Sequence, residues 1–147
     1  RLSDLNCALG YNQLKKIDIF LKKRCEIFSY YVKKLNPYKQ YIFLPKAENK
    51  KNLYHLFLLG INFDKIKNHK DHFIEYLNKK KIFPQFHYVP IYKFSFFKNK
   101  KEKEFVGTEE YLRRYLSFPI YYELTKEDQN YIINCVINYI LKYKKNN

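Results

Sequence analysis

Methionine and tryptophan are absent from this chain, glycine and cysteine occur 3 times each, and only Arg1, Arg24, Arg113 and Arg114 among its 29 basic residues are arginines. Each scarcity narrows the reading. A chain without methionine that opens on Arg1 is expected to be a piece of a longer product. Cys7, Cys25 and Cys135 lie far apart, show no CxxC spacing and are odd in number. A disulfide framework or a metal site is therefore not expected, a reducing and hence cytoplasmic compartment is the default, and each cysteine reads as a small buried hydrophobe. No apolar run approaches the roughly 18 residues that a membrane span needs, and no signal-peptide pattern is present, so no membrane partner is expected. The GxSxG, HExxH, P-loop and GxGxxG signatures are all missing.

What is present is a core-forming chain of 147 residues, 46% hydrophobic and 29% charged, enough for one folded domain. The formal net charge of +15 raises the question of an anionic partner. The basic residues are overwhelmingly lysine, and specific phosphate or base recognition favours arginine forks. Lysine accompanied by abundant Asn, Ile, Tyr and Phe is the mixture of an AT-rich coding sequence. Solvated lysine faces are the plain reading, a small phosphate compound comes second, and no nucleic-acid partner is expected.

From Ser3 the apolar positions Leu5, Leu9, Leu14, Ile17, Leu21, Phe28, Val32 and Leu35 recur mostly at three- and four-residue steps. This predicts a long amphipathic helix capped by Ser3, bent near Gly10 and stopped by Asn36-Pro37. A polar loop covers 46–52, and Leu53–Phe63 reads as a largely buried strand. Asp71 is expected to cap a helix reaching Lys80, with Phe73, Ile74 and Leu77 inward. Ile82–Tyr88 reads as a second strand, and 98–104 as a charged loop. A short helix is expected from Thr108 to about Leu116, followed by an extended stretch bent at Pro119. The last helix begins at Leu124-Thr125, with Asp128 completing a capping box. Ile132, Ile133, Val136, Ile137, Ile140 and Leu141 form its buried face, and the terminal KYKKNN frays. The fold class is α/β, a small α+β layer with a short sheet flanked by helices and led by a long helix.

Four histidines are the obvious general bases. His69 and His72 fall in a lysine-rich helix start and read as exposed, while His55, in an apolar strand, reads as a hydrogen-bonded core residue. His87 differs from these. It lies in FPQFHYVPIYKFSFF, from Phe83 to Phe97, where a strand runs into an aromatic turn punctuated by two prolines. Strand ends of this kind are where α/β proteins place ligand contacts. Tyr88 and Tyr92 share that argument.

The order of these pieces resembles the C-terminal part of the DegT/DnrJ/EryC1/StrS family of sugar aminotransferases. Its opening pattern is matched by Arg1-Leu2-Ser3-Asp4, Ala8-Leu9-Gly10 and Gln13-Leu14-Lys15. YHLFLL at 54–59, HYVPIY at 87–92 and LSFPIYYELTKED at 116–128 follow in the family's order, so the resemblance covers nearly the whole chain. Many family members carry Pro-Leu-His where this chain has Pro90-Ile91-Tyr92. That departure puts a His-dependent version of the site in doubt, and the His-Tyr-x-Pro-Ile-Tyr combination looks most like the subgroup of pseudaminic acid biosynthesis.

The resemblance implies the C-terminal small domain of a type I aminotransferase fold dependent on pyridoxal 5'-phosphate. Residues 1–36 would be the helix connecting the large and small domains, and 37–147 the small domain. The N-terminal cofactor-binding domain would lie upstream, with the Schiff-base lysine, so this piece alone should be inactive. The implied reaction moves an amino group from glutamate to C4 of a UDP-linked 4-keto-6-deoxy-N-acetylhexosamine, in a homodimer. Arg1 would approach the partner's cofactor phosphate, while His87, Tyr88 and Tyr92 would lie near the sugar nucleotide. Another 3- or 4-keto sugar, a stand-alone basic nucleic-acid-binding module and a truncated docking subunit stand as alternatives. An isolated small domain is also expected to self-associate through the face that normally packs on the large domain.

Overall fold

The computed structural model describes residues 1–46, 53–97 and 105–145. Helix α1 (Asp4–Leu14) starts at Ser3, whose hydroxyl accepts from the Asn6 backbone N–H at 3.4 Å, with Asp4 favourably placed in the first turn. It buries no residue. The helical span then divides at Lys15–Lys16 rather than bending at Gly10, whose surroundings are open. The Lys16 N–H bonds back to Gln13 O at 3.0 Å, a tightened last turn of the kind that closes helix ends.

Helix α2 (Ile17–Leu35) turns Ile27, Phe28, Tyr31 and Leu35 into the core, and Asn36-Pro37 passes into a short 3-10 turn that ends it. Strands β1 (Ile42–Phe43), β2 (Phe57–Ile61) and β3 (Tyr115–Phe118) form one antiparallel sheet in that order. The register sets Phe57 opposite Phe118, Leu59 opposite Leu116 and Gly60 opposite Tyr115. Gly60 is required there: a Cβ would stand 2.9 Å from the Tyr115 ring and 3.1 Å from Phe43 Cβ.

Helix α3 (Lys70–Lys79) begins one residue before the expected cap, so Asp71 sits inside its first turn and His69 takes the cap position without a side-chain bond. The start is fixed by Lys70, whose ammonium donates to the carbonyls of Leu112 (2.5 Å) and Tyr115 (2.9 Å). These carbonyls belong to the end of α4 (Val106–Arg114) and the first residue of β3. A cation there satisfies carbonyls that the helix cannot. The same half-burial pushes the Lys70 pKa down.

At its other end α3 closes with Lys81 in the left-handed conformation (φ 58°). The Ile82 N–H bonds Leu77 O at 3.0 Å and the Lys81 N–H bonds Asn78 O at 2.9 Å, the paired bonds of a Schellman ending, with Ile82 buried. The strand expected over Ile82–Tyr88 does not form. Pro84 offers no donor, and only Gln85 pairs, exchanging two backbone bonds with Ser117. The chain then leaves the sheet edge. Helix α4 opens at Val106, ahead of Thr108, and gives way to β3 before Leu116.

Helix α5 (Lys126–Tyr143) carries the complete capping box between Thr125 and Asp128. Ile132, Ile133, Cys135, Val136, Tyr139 and Ile140 are buried in the core, α5 packing on α2 and Tyr139 meeting Phe73 of α3, while Leu141 is exposed and Ile137 partly so. Its end does not fray at once. Lys144 bridges Ile66, the Lys67 N–H bonds Tyr143 O, and the Lys145 N–H bonds Lys65 O. Cys135 is buried as expected, Cys25 is half-buried, and Cys7 is exposed on α1, which buries no residue. The loops expected at 46–52 and 98–104 lie, apart from Lys46, outside the described residues. Among the described residues no group of side chains could hold a metal ion, and no helix is long and apolar enough to cross a membrane.

Candidate functional site: the aromatic turn beside β3

The aromatic segment is fastened to the rest of the molecule at two points. The first is β3. There Gln85 exchanges backbone bonds of 3.1 and 2.7 Å with Ser117, and His87 Nε2 lies 2.7 Å from Ser117 Oγ. The second is α4. Tyr92 Oη donates to Glu109 Oε1 at 2.5 Å, its ring stacks on Phe105 at 4.5 Å, and Lys93 pairs with Glu109 at 3.0 Å. These bonds hold the Glu109 carboxyl below the ordinary glutamate range, the Tyr92 hydroxyl being the larger cause and Lys93 the next.

Between the two fastenings Pro90 is buried and the side chains of Tyr88, Val89 and Ile91 face outward. Tyr88 is 77% exposed and meets the His87 ring edge-on at 4.9 Å. The His87–Tyr88 peptide bond is cis. His87 Nδ1 is closed to solvent without a hydrogen-bond partner, an arrangement that costs roughly 1–3 kcal/mol for a buried polar atom. A cleft of about 470 Å³ opens beside the turn, with Phe63, Ile74, Phe86 and Leu112 as its apolar walls and Lys93 and Arg113 at its edge. Arg113 is engaged there by Asp64 and Glu110.

The sequence-derived site residues thus divide. His87, Tyr88 and Tyr92 share one segment, with His87 and Tyr92 turned toward the scaffold and Tyr88 toward solvent. Arg1 is exposed ahead of α1. His69 and His72 are exposed as expected, although His72 Nδ1 also reaches Tyr139 Oη at 2.9 Å. His55 is not a core residue: it precedes β2, is exposed, and contributes its carbonyl to Arg24 Nη1 at 3.0 Å. Ser117 and Glu109 were not singled out by sequence reasoning. The signal for Ser117 was a lone hydroxyl between Leu116 and Phe118 in a buried strand; for Glu109 there was none.

These residues do not by themselves build a site for pyridoxal phosphate. Lys70, which is half-buried, is committed to two carbonyls, and Lys93 to Glu109. No chemical step through that group follows from this chain's own geometry.

A UDP-4-amino-4,6-dideoxy-N-acetyl-beta-L-altrosamine transaminase of Campylobacter jejuni subsp. jejuni serotype O:23/36 is 34% identical to this chain over 146 residues, which make up 99% of this chain and 39% of that protein. An uncharacterized protein of Methanocaldococcus jannaschii is 30% identical over 138 residues, 92% of this chain and 36% of that one. Among solved structures, Helicobacter pylori PseC, an aminotransferase involved in the biosynthesis of pseudoaminic acid, superposes with a TM-score of 0.84 at 25% identity, covering 97% of this chain and 38% of that one. S. venezuelae DesV shares the fold at a TM-score of 0.81 and 22% identity, over 94% of this chain and 36% of that one. This chain therefore spans about two-fifths of the length of the relatives it matches. Residues 1–137 match the DegT/DnrJ/EryC1/StrS aminotransferase family, and the chain belongs to it.

Proposed function

We propose that this chain is the C-terminal part of a pyridoxal-phosphate-dependent nucleotide-sugar aminotransferase of the pseudaminic acid type. The whole enzyme would transfer an amino group from glutamate to the C4 keto group of a UDP-4-keto-6-deoxy-N-acetylhexosamine. The observation that carries this reading is the 34% identity to the altrosamine transaminase, sustained over 146 residues. Residues 1–36 form the connecting helical span in this reading and 37–147 the small domain. The cofactor, when bound, supplies the electron sink for moving the amino group, and the domain that holds it lies outside this chain.

The roles left to this chain are binding and shaping. Tyr88 and Ile91 offer an outward apolar and aromatic surface for the sugar nucleotide, while His87 and Tyr92 fix that surface from behind. Arg1 contacts the cofactor phosphate of the partner in a cytoplasmic homodimer, a task suited to a guanidinium. Alone, the chain is catalytically silent. The test uses the complete native protein with pyridoxal phosphate, glutamate and the UDP-4-keto sugar. A 4-amino sugar product and a borohydride-trapped lysine upstream of Arg1 are expected. Turnover of a 3-keto sugar only would reassign the substrate, and a native mass equal to the 18.2 kDa of this chain would remove catalysis altogether.

A further inference from the structure

Two polar side chains are buried among the described residues, Gln129 and Ser117. Gln129 is accounted for by its bond to Ile27 O at 3.1 Å, which ties α5 to α2. Ser117 ties β3 to the aromatic turn, at a buried strand position where an apolar side chain would otherwise suit better. What its hydroxyl does is meet His87 Nε2 at 2.7 Å and Gln85 O at 3.3 Å.

A hydroxyl has one hydrogen to give. If it goes to Gln85 O, His87 Nε2 must carry a proton and donate to Ser117 Oγ, and Nδ1 keeps a bare lone pair. The reverse arrangement leaves a buried Nδ1–H without an acceptor, since Nδ1 is enclosed and unpartnered. Orphaned buried N–H groups are rarer than under-used acceptors. The geometry therefore selects the Nε2–H form, as a ring nitrogen's partner generally decides the tautomer.

We propose that Ser117 is a positioning residue of the sugar-nucleotide site, fixing His87 as the Nε2–H tautomer so that Nδ1 accepts a hydrogen bond from a hydroxyl or amide N–H of the ligand. This rests on the proposed function above. Nδ1 is enclosed in the free chain, so the atoms that cover it must give way when the ligand arrives. In this role His87 orients the substrate through that bond.

The test has two readouts on the complete native protein. The first is nitrogen NMR of ¹⁵N-histidine-labelled protein, with His87 assigned by comparison with His87→Gln and UDP-N-acetylglucosamine as an unreactive probe. It should show a protonated Nε2, an Nδ1 resonance that moves on adding the probe, and a mixture of tautomers in Ser117→Ala. The second is kinetic. Ser117→Ala should raise KM for the UDP-4-keto sugar about tenfold with kcat nearly unchanged, and Ser117→Thr should restore it. An unchanged tautomer in Ser117→Ala overturns the proposal even if KM rises, because the effect would then be structural. A wild-type enzyme that turns over nucleotide sugars while its Nδ1 ignores the probe also overturns it, leaving the proposed function standing. If the wild type turns over no nucleotide sugar, the functional reading itself fails, and the ligand role of Nδ1 fails with it.

Discussion

At the scale of single residues, two positions carry testable consequences. Gly60 leaves no room for a methyl group, because the Tyr115 ring that would have to move is stacked on Tyr111 at 5.1 Å. Gly60→Ala should destabilise the fold by about 1–3 kcal/mol, read as a lower urea midpoint with an unchanged slope. Glu109 gives a pH prediction. Its folded pKa is depressed by Tyr92 and then by Lys93. Its contribution is therefore fully present above the unfolded glutamate value of about 4.3, and it is lost as pH falls through the lower folded value. The ring contact between Tyr92 and Phe105, followed by proton NMR, should persist at about pH 5 and open only in stronger acid. Opening nearer neutrality would mean that Glu109 does not hold the turn. The residues of this site were half visible in the sequence. His87, Tyr88 and Tyr92 stood out because aromatics and prolines crowd into one local stretch. Their partners Ser117 and Glu109 lie 30 and 17 positions away, a distance no local pattern spans.

Among the elements, the end of α3 is the least comfortable. Lys81 holds the left-handed position that glycine fills without steric cost. Lys81→Gly should stabilise the protein by about 1 kcal/mol, measured as a higher urea midpoint, whereas Lys81→Val should lower it. Helices α3 and α5 were readable beforehand because their apolar spacing, and the Thr125–Asp128 box at α5, are local and sufficient. Ile82–Tyr88 was misread for the opposite reason. Its composition suits a strand, but pairing is decided by β3, which offers one bridge at Gln85 before the chain turns away. The two-residue β1 is too short for any alternation to announce it. The division at Lys15–Lys16 was hidden by an apolar spacing that runs on through both helices, although only α2 buries its face.

At the scale of the whole molecule, charge and exposed apolar surface oppose one another. Leu5 (80%), Leu9 (59%) and Leu14 (63%) are open on α1, and Phe83, Tyr88, Ile91 and Phe96 are open on the turn. A net charge of +15 holds copies apart only over roughly a Debye length, about 10 Å at 0.1 M salt. The isolated chain should therefore self-associate increasingly as salt rises, and Leu5→Ser with Leu9→Ser should suppress this. A monodisperse monomer by light scattering at all salt concentrations would contradict it. The break between α1 and α2 has a further consequence. It places two adjacent lysines in an exposed backbone turn, next to a helix that contributes nothing to the core. Brief trypsin treatment of the isolated chain should cut there early and shed the first helix as a soluble peptide. The remainder should keep its melting behaviour, giving a natural cleavage point for making a shorter and better-behaved domain.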